Sequence, residues 1–326
     1  MSIVLVVIGL VVGGVLVGQD LIRAAYVRAQ ISQIEKFNTA LNTFYGKYQA
    51  LAGDMNPGIA TTFGFTPRGD YTVGDGVLCA GQGDGNGLLQ SPIDLIAYGS
   101  GVLAMRSEAT MLWSDLSYAN GMNIGLIEGS FLPQAANPFL AGNFSTTTLS
   151  IIPTYLPRAK IGRGNYVYAW SGGWPEMTSG PGAGDGHNYF TIGIVYAVHT
   201  GQPEVNMGLT VREAYNIDSK IDDGFPQSGR VTAMFLDSGA SVWSSGAAST
   251  SVGNNVGLAD ATTAGPVTSP NHDNGGDSAE GGTPSLTTCY DYPNPSSPSL
   301  PLVYSVNTNA NQLNCSLSFR FQGGED

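Results

Sequence analysis

The stretch that decides the fold is the first, "MSIVLVVIGLVVGGVLVGQD", Met1–Asp20. From Met1 to Val17 it carries no charge and a single hydroxyl, at Ser2; polarity returns at Gln19 and Asp20. Three readings compete for such a run: a secretory signal peptide, a transmembrane anchor, or a segment that anchors first and packs against protein later. A signal peptide pairs a basic start with an apolar run and a small-x-small cleavage site. Here the first basic residue is Arg23, and no Ala-x-Ala follows the run. The pattern beyond it stays helical. Apolar residues fall at Ile34, Phe37, Leu41, Phe44, Tyr48 and Leu51, spaced 3, 4, 3, 4 and 3 apart, which is one face of an amphipathic helix.

No proline occurs before Pro57. The two runs therefore read as one helix of about 50 residues, ~75 Å long at 1.5 Å per residue. Its first third, 1–17, is apolar all round and needs lipid or other protein on every side; the rest, 18–53, lays one stripe on its own domain. Seventeen residues stand at the short limit of the ~17–25 that span a bilayer. Gly9, Gly13 and Gly14 weaken a helix by roughly 1 kcal/mol each against Ala and permit close helix approach. On these grounds a plain single-pass anchor and a polymer core both stay open.

Composition narrows the partners. Of 326 residues, 12% are charged, against a usual ~25%, and the net charge is −12. Nucleic acid is an unsuitable partner, because phosphate binding needs clustered Lys and Arg. The 45 glycines, with abundant Ser, Thr, Asn and Pro, favour turns, short strands and long loops beyond the helix.

"MSIVLVVIGLVVGGVL" resembles the N-terminal helix of type IV pilins and the related type II secretion pseudopilins. Gly9 matches the family's helix glycine. The resemblance implies that a few residues, including the family's glutamate and methylated aromatic, precede Met1. The family's helix-breaking proline is absent, and Val17 stands about where it falls. "TFYGKYQALAGDMNPG" (Thr43–Gly58), the Trp-x-x-Leu helix of Ser107–Gly129 and the "IDDG" turn (Ile221–Gly224) are similar to a subgroup of larger prepilin-like proteins.

This resemblance implies a pilin-like α+β fold: a long N-terminal helix (1–53) packed on an antiparallel sheet in a globular domain with long loops (54–326). It also implies a structural subunit of an extracellular pilus or pilus-like filament, made from an inner-membrane-anchored precursor by the pilus assembly machinery. Its partners would be copies of itself. The filament core would be Ile3, Val4, Leu5, Val6, Val7, Ile8, Gly9, Leu10, Val11, Val12, Gly13, Gly14, Val15, Leu16 and Val17. Two alternatives are a minor pilin or pseudopilin at a filament tip, and a surface adhesin using the Ser/Thr/Gly-rich stretch 238–300. Cys289 and Cys315 resemble the paired cysteines that staple the last strands of many pilins, which leaves Cys79 over.

Elsewhere, β-branched and aromatic runs predict strands at Gly164–Trp174, Asn188–His199 (central, buried on both faces), Arg230–Asp237, "PLVYSVNT" and "NCSLSFRF". Thr210-x-x-Glu213 opens a helix with a capping box. "GQGDGNG" (Gly81–Gly87) lacks the flanking strand and apolar helix of a dinucleotide loop and reads as a turn. Neither His-x-x-x-His, Cys-x-x-Cys nor Gly-x-Ser-x-Gly occurs, so the expectation is no enzyme, no metal and no cofactor. His187, His199 and His272 show no shared motif. The acids of "DNGGDSAE" (Asp273, Asp277, Glu280) read as a solvated loop, and Asp218, Asp222 and Asp223 as helix-end and turn residues. Asn143 and Asn314 match the N-glycosylation pattern, and glycans on these or on the Ser/Thr loops are a further candidate partner.

Overall fold

Helix α1 runs without a break from Ser2 to Tyr48, through Gly9, Gly13 and Gly14, which places it at ~70 Å. In this computed structural model the described residues are 2–67, 82–89, 108–117, 125–131, 152–171, 187–199, 202–226, 228–233, 289–291 and 303–321. After α1 come two short helices, α2 (Pro57–Phe63) and α3 (Glu108–Leu116), and a 3-10 turn at Ile152–Thr154. Strands β1 (Tyr166–Ser171), β2 (Asn188–His199) and β3 (Gln202–Asn206) lead into α4 (Val211–Ile221). The chain then gives β4 (Val231–Thr232), β5 (Tyr290–Asp291), β6 (Val303–Tyr304), the single turn α5 (Val306–Asn309) and β7 (Leu317–Phe321).

The architecture is α+β. Five strands form one sheet in the order β1-β2-β7-β4, with β3 folding back on the far end of β2. Every pairing is antiparallel. The long apolar strand β2 is central, as its composition predicts: Phe190 faces Ala169 on one side and Phe319 on the other. The ladder to β3 shifts register between Val195 and Ala197. A separate two-stranded ribbon pairs β5 with β6.

All six residues of the stripe read from sequence, Ile34 through Leu51, are buried. Leu51 lies just past the end of α1, and Phe44 and Tyr48 pack on Phe65. Phe37 meets Trp113 of α3 at 5.0 Å and Phe190 of β2 at 5.7 Å, and Phe190 stacks on Phe321 of β7 at 4.1 Å. One aromatic column thus joins α1, α3 and two strands; edge and offset contacts of this kind add to simple burial.

Three expectations shift. Helix α1 ends at Tyr48, short of the expected 53, because Gln49 takes a left-handed backbone (φ +51°). Helix α3 ends at Leu116, short of Asn120-Gly121, which lie outside the described residues. "PLVYSVNT" is not one strand: β6 stops at Tyr304, and α5 takes over from Val306. Of the expected strand at Arg230–Asp237, Val231–Thr232 is formed and paired to β7, and 234–237 lie outside the described residues. Strand β3 was not foreseen, because Gln202, Pro203, Glu204 and Asn206 lack strand-like composition. The predicted capping box of α4 is formed: Thr210 Oγ1 accepts from the Glu213 amide, and Glu213 Oε2 accepts from the Thr210 amide.

Candidate functional site

The first part of α1 projects from the domain. Ile3 is 79% and Leu10 76% exposed, and each apolar side chain between them and on to Val17 is exposed too. Exposed apolar residues continue at Leu21, Ile22 and Tyr26; the first buried one is Val27, at 2%. Ile3–Tyr26 covers ~36 Å of helix, against a bilayer hydrocarbon core of ~30 Å. By length and composition the helix can cross a membrane. Asp20, Arg23 and Arg28 are the charged residues of the first thirty, so they collect on the side nearest the domain. Contiguous apolar surface on this scale marks a site that meets lipid or protein.

Where the stem enters the domain it is held by polar side chains on its buried face. Gln30 Oε1 accepts from the Ile161 amide at 3.0 Å. Gln33 Oε1 accepts from the Lys160 amide at 2.9 Å, and its Nε2 donates to the Arg158 carbonyl at 2.9 Å. Gln30 Nε2 also donates to Gln33 Oε1. A loop that would bury bare backbone groups is satisfied by one face of the helix.

At its other end α1 stops at Tyr48, and the chain turns through Gly53 (φ +87°), where a side chain would strike the Glu108 carbonyl oxygen. Asp115 of α3 reaches this turn. Its Oδ2 accepts from the Gly53 amide at 2.8 Å and from Gln82 Nε2 at 2.7 Å, and Gln82 Oε1 accepts from the Met55 amide at 3.3 Å. Asp54 holds the glycine-rich loop: Oδ1 accepts from the Gly85 amide at 2.8 Å and Oδ2 from the Gly87 amide at 2.7 Å. Within "GQGDGNG", residues 85–87 bend as a turn, with Asp84 closing on the Asn86 amide.

Two groups of three carboxylates bring oxygens within 4.8 Å of one another among the described residues: Asp54, Asp84 and Glu108, and Asp218, Asp222 and Asp223. In both, oxygens serve as acceptors for turn amides. Asp222 Oδ2 takes the amides of Arg230 and Val231, and Asp223 takes those of Phe225 and the Ser228 hydroxyl. Asp218 accepts from the Gly224 amide and, at 2.7 Å, from the buried Tyr304 hydroxyl. Burial pushes the Asp218 carboxyl up to about 7 against those two hydrogen bonds, with the charges of Asp223 and Asp222 adding to the rise. Asp218, Asp222 and Asp223 hold the end of α4 and the turn after it, as their positions in the sequence suggest.

Cys289 and Cys315 form a disulfide. Both are buried. Cys315 exchanges backbone hydrogen bonds with Leu209, just before α4, and the Cys289 carbonyl accepts from the Ser305 amide. The bond therefore pins the β5–β6 ribbon to the lead-in of β7. Asn314 is buried at 7%, which sets it against carrying a sugar. His187 precedes β2 and His199 ends it. Cys79, Asn143, His272, Asp273, Asp277, Glu280 and the stretch 238–300 apart from Cys289–Asp291 lie outside the described residues.

Sequence reading passed over Gln30, Gln33, Gln82 and Asp115. The signal for the first two was present: they fall at i−4 and i−1 from Ile34, on or beside the apolar stripe, where an amide must find partners. Nothing in sequence pointed to Gln82 or Asp115, because their partners are distant in the chain. Comparison with family models, with curated proteins and with solved structures finds no match.

Proposed function

We propose that the chain is a structural subunit of a type IV pilus-like filament, joined to copies of itself through the exposed end of α1. One observation carries the reading: a helix whose buried stripe seats it on its own domain continues, unbroken, into residues 3–17, whose apolar side chains stay exposed. Burying roughly twelve apolar side chains at ~1.5–3 kcal/mol each supplies tens of kcal/mol before ordering costs. The same surface suits a bilayer, so the inner membrane holds the subunit before assembly and neighbouring stems replace lipid afterwards. The acidic, glycine-rich domain then forms the outer layer of an extracellular fibre.

Removal of Met1–Val17 tests the assignment. The truncated chain, which keeps Val27, Gln30 and the whole buried stripe, is expected to be a water-soluble monomer by size-exclusion chromatography with light scattering. Fibres formed by that variant would place the assembly surface elsewhere.

A further inference from the structure

We propose that Asp115 is a pH-sensitive latch on the turn that leaves the stem: uncharged it keeps Gly53 and Gln82 in a dry junction, and ionised it draws in water and loosens both. This holds whether or not the stem polymerises. Asp115 is 2% exposed, and its two oxygens are treated unequally. Oδ2 accepts two hydrogen bonds, from Gly53 and Gln82, while Oδ1 is buried with no hydrogen-bond partner among the described residues. A neutral acid tolerates a bare oxygen far better than a carboxylate does, because an unpaired buried charge is the costlier group.

The surroundings act in the same direction. Elements packed around the junction carry Lys47 and Tyr48 at the end of α1, Asp54 after it, Asp84 in the glycine-rich loop, Glu108 on α3 itself, and Tyr166 and Tyr168 on β1. Asp54 and Glu108 are buried acids, Lys47 is exposed, and among the described residues no Lys or Arg is buried. Burial pushes the Asp115 carboxyl up to about 7 even though the Gln82 and Gly53 hydrogen bonds oppose it. Through Gln82 the effect reaches the Met55 amide, so a single proton governs backbone on both sides of Asp54.

The test is hydrogen exchange of the full chain in detergent, followed at the Gly53 and Met55 amides from pH 5 to 8.5 and corrected for intrinsic rates. Linkage to one proton makes protection fall by up to about tenfold per pH unit between 5 and 7 and level off above. In Asp115→Asn the profile is expected to be flat. Flat protection in the unaltered protein, or an unchanged slope in Asp115→Asn, would overturn the proposal. If Asp115→Asn does not fold, 13C-carboxyl titration of Asp218→Asn decides: one carboxyl transition near pH 7 supports the latch, and none above pH 6 removes it.

Discussion

Gln30, on the stem, accepts the backbone amide of Ile161, a residue 131 positions later, in a buried hydrogen bond of 3.0 Å. With Gln33 on Arg158 and Lys160, it fixes the angle at which the exposed part of α1 leaves the domain. A polar clamp suits a junction whose outer side is apolar: it is directional, and a slide of the helix by one residue would break every bond in it.

Truncating this clamp orphans buried backbone groups. Gln30→Ala leaves the Ile161 amide bare, and Gln33→Ala does the same to Lys160. Each is expected to lower stability by about 1–3 kcal/mol in urea unfolding, a larger loss than an exposed Gln would give. Changes below about 0.5 kcal/mol would mean water replaces the side chain.

The aromatic column is a second test. Phe37→Ala removes contacts to both Trp113 and Phe190 and leaves a cavity where stem, α3 and sheet meet. The expected loss is ~3–5 kcal/mol, read from the denaturant midpoint at constant slope. Phe63→Ala, at an exposed site beside Tyr48, should cost much less.

Breaking the Cys289–Cys315 bond frees a 26-residue separation in the unfolded chain. Cys289→Ser with Cys315→Ser is expected to lose about 3 kcal/mol. Calorimetry with and without reductant checks it: the unaltered protein should lose stability on reduction, and the double variant should not respond.

The pH response has a definite sign. The folded-state value of Asp218 lies above that of an ordinary carboxyl, at about 7, so between pH 4 and 7 the folded chain binds more protons than the unfolded one. Stability therefore falls as pH rises across that window and levels off above it. The melting temperature should be higher at pH 5 than at pH 8, and Asp218→Asn should narrow the difference. Tyr304→Phe removes a hydrogen bond that lowers the Asp218 value, and should move the transition further up.

Much of the scaffold was legible in residues 1–51, because helical periodicity is a local property: spacing alone gave one long helix and its buried stripe, although α1 stops at Tyr48, short of the expected 53, where Gln49 turns left-handed. Strand β2 was equally readable from its unbroken apolar run, and the α4 capping box from Thr210 and Glu213. Strand β3 was not, since Pro203 and Glu204 pair only because β2 offers them an edge. The Asp115 junction escaped for a related reason. It joins residues from Gly53 to Asp115 through hydrogen bonds spanning 62 and 33 positions, and no periodicity records contacts of that range. The exposed apolar surface also runs past Val17 to Tyr26, because the stem departs from the domain at Val27 rather than where polarity first returns.

Electron microscopy of native material tests the central claim most directly. The account predicts a fibre in which this chain repeats, with Ile3–Val17 of neighbouring copies packed along the axis and the sheet domain outside. Single copies held in a bilayer by α1, with no fibre containing the chain, would contradict it.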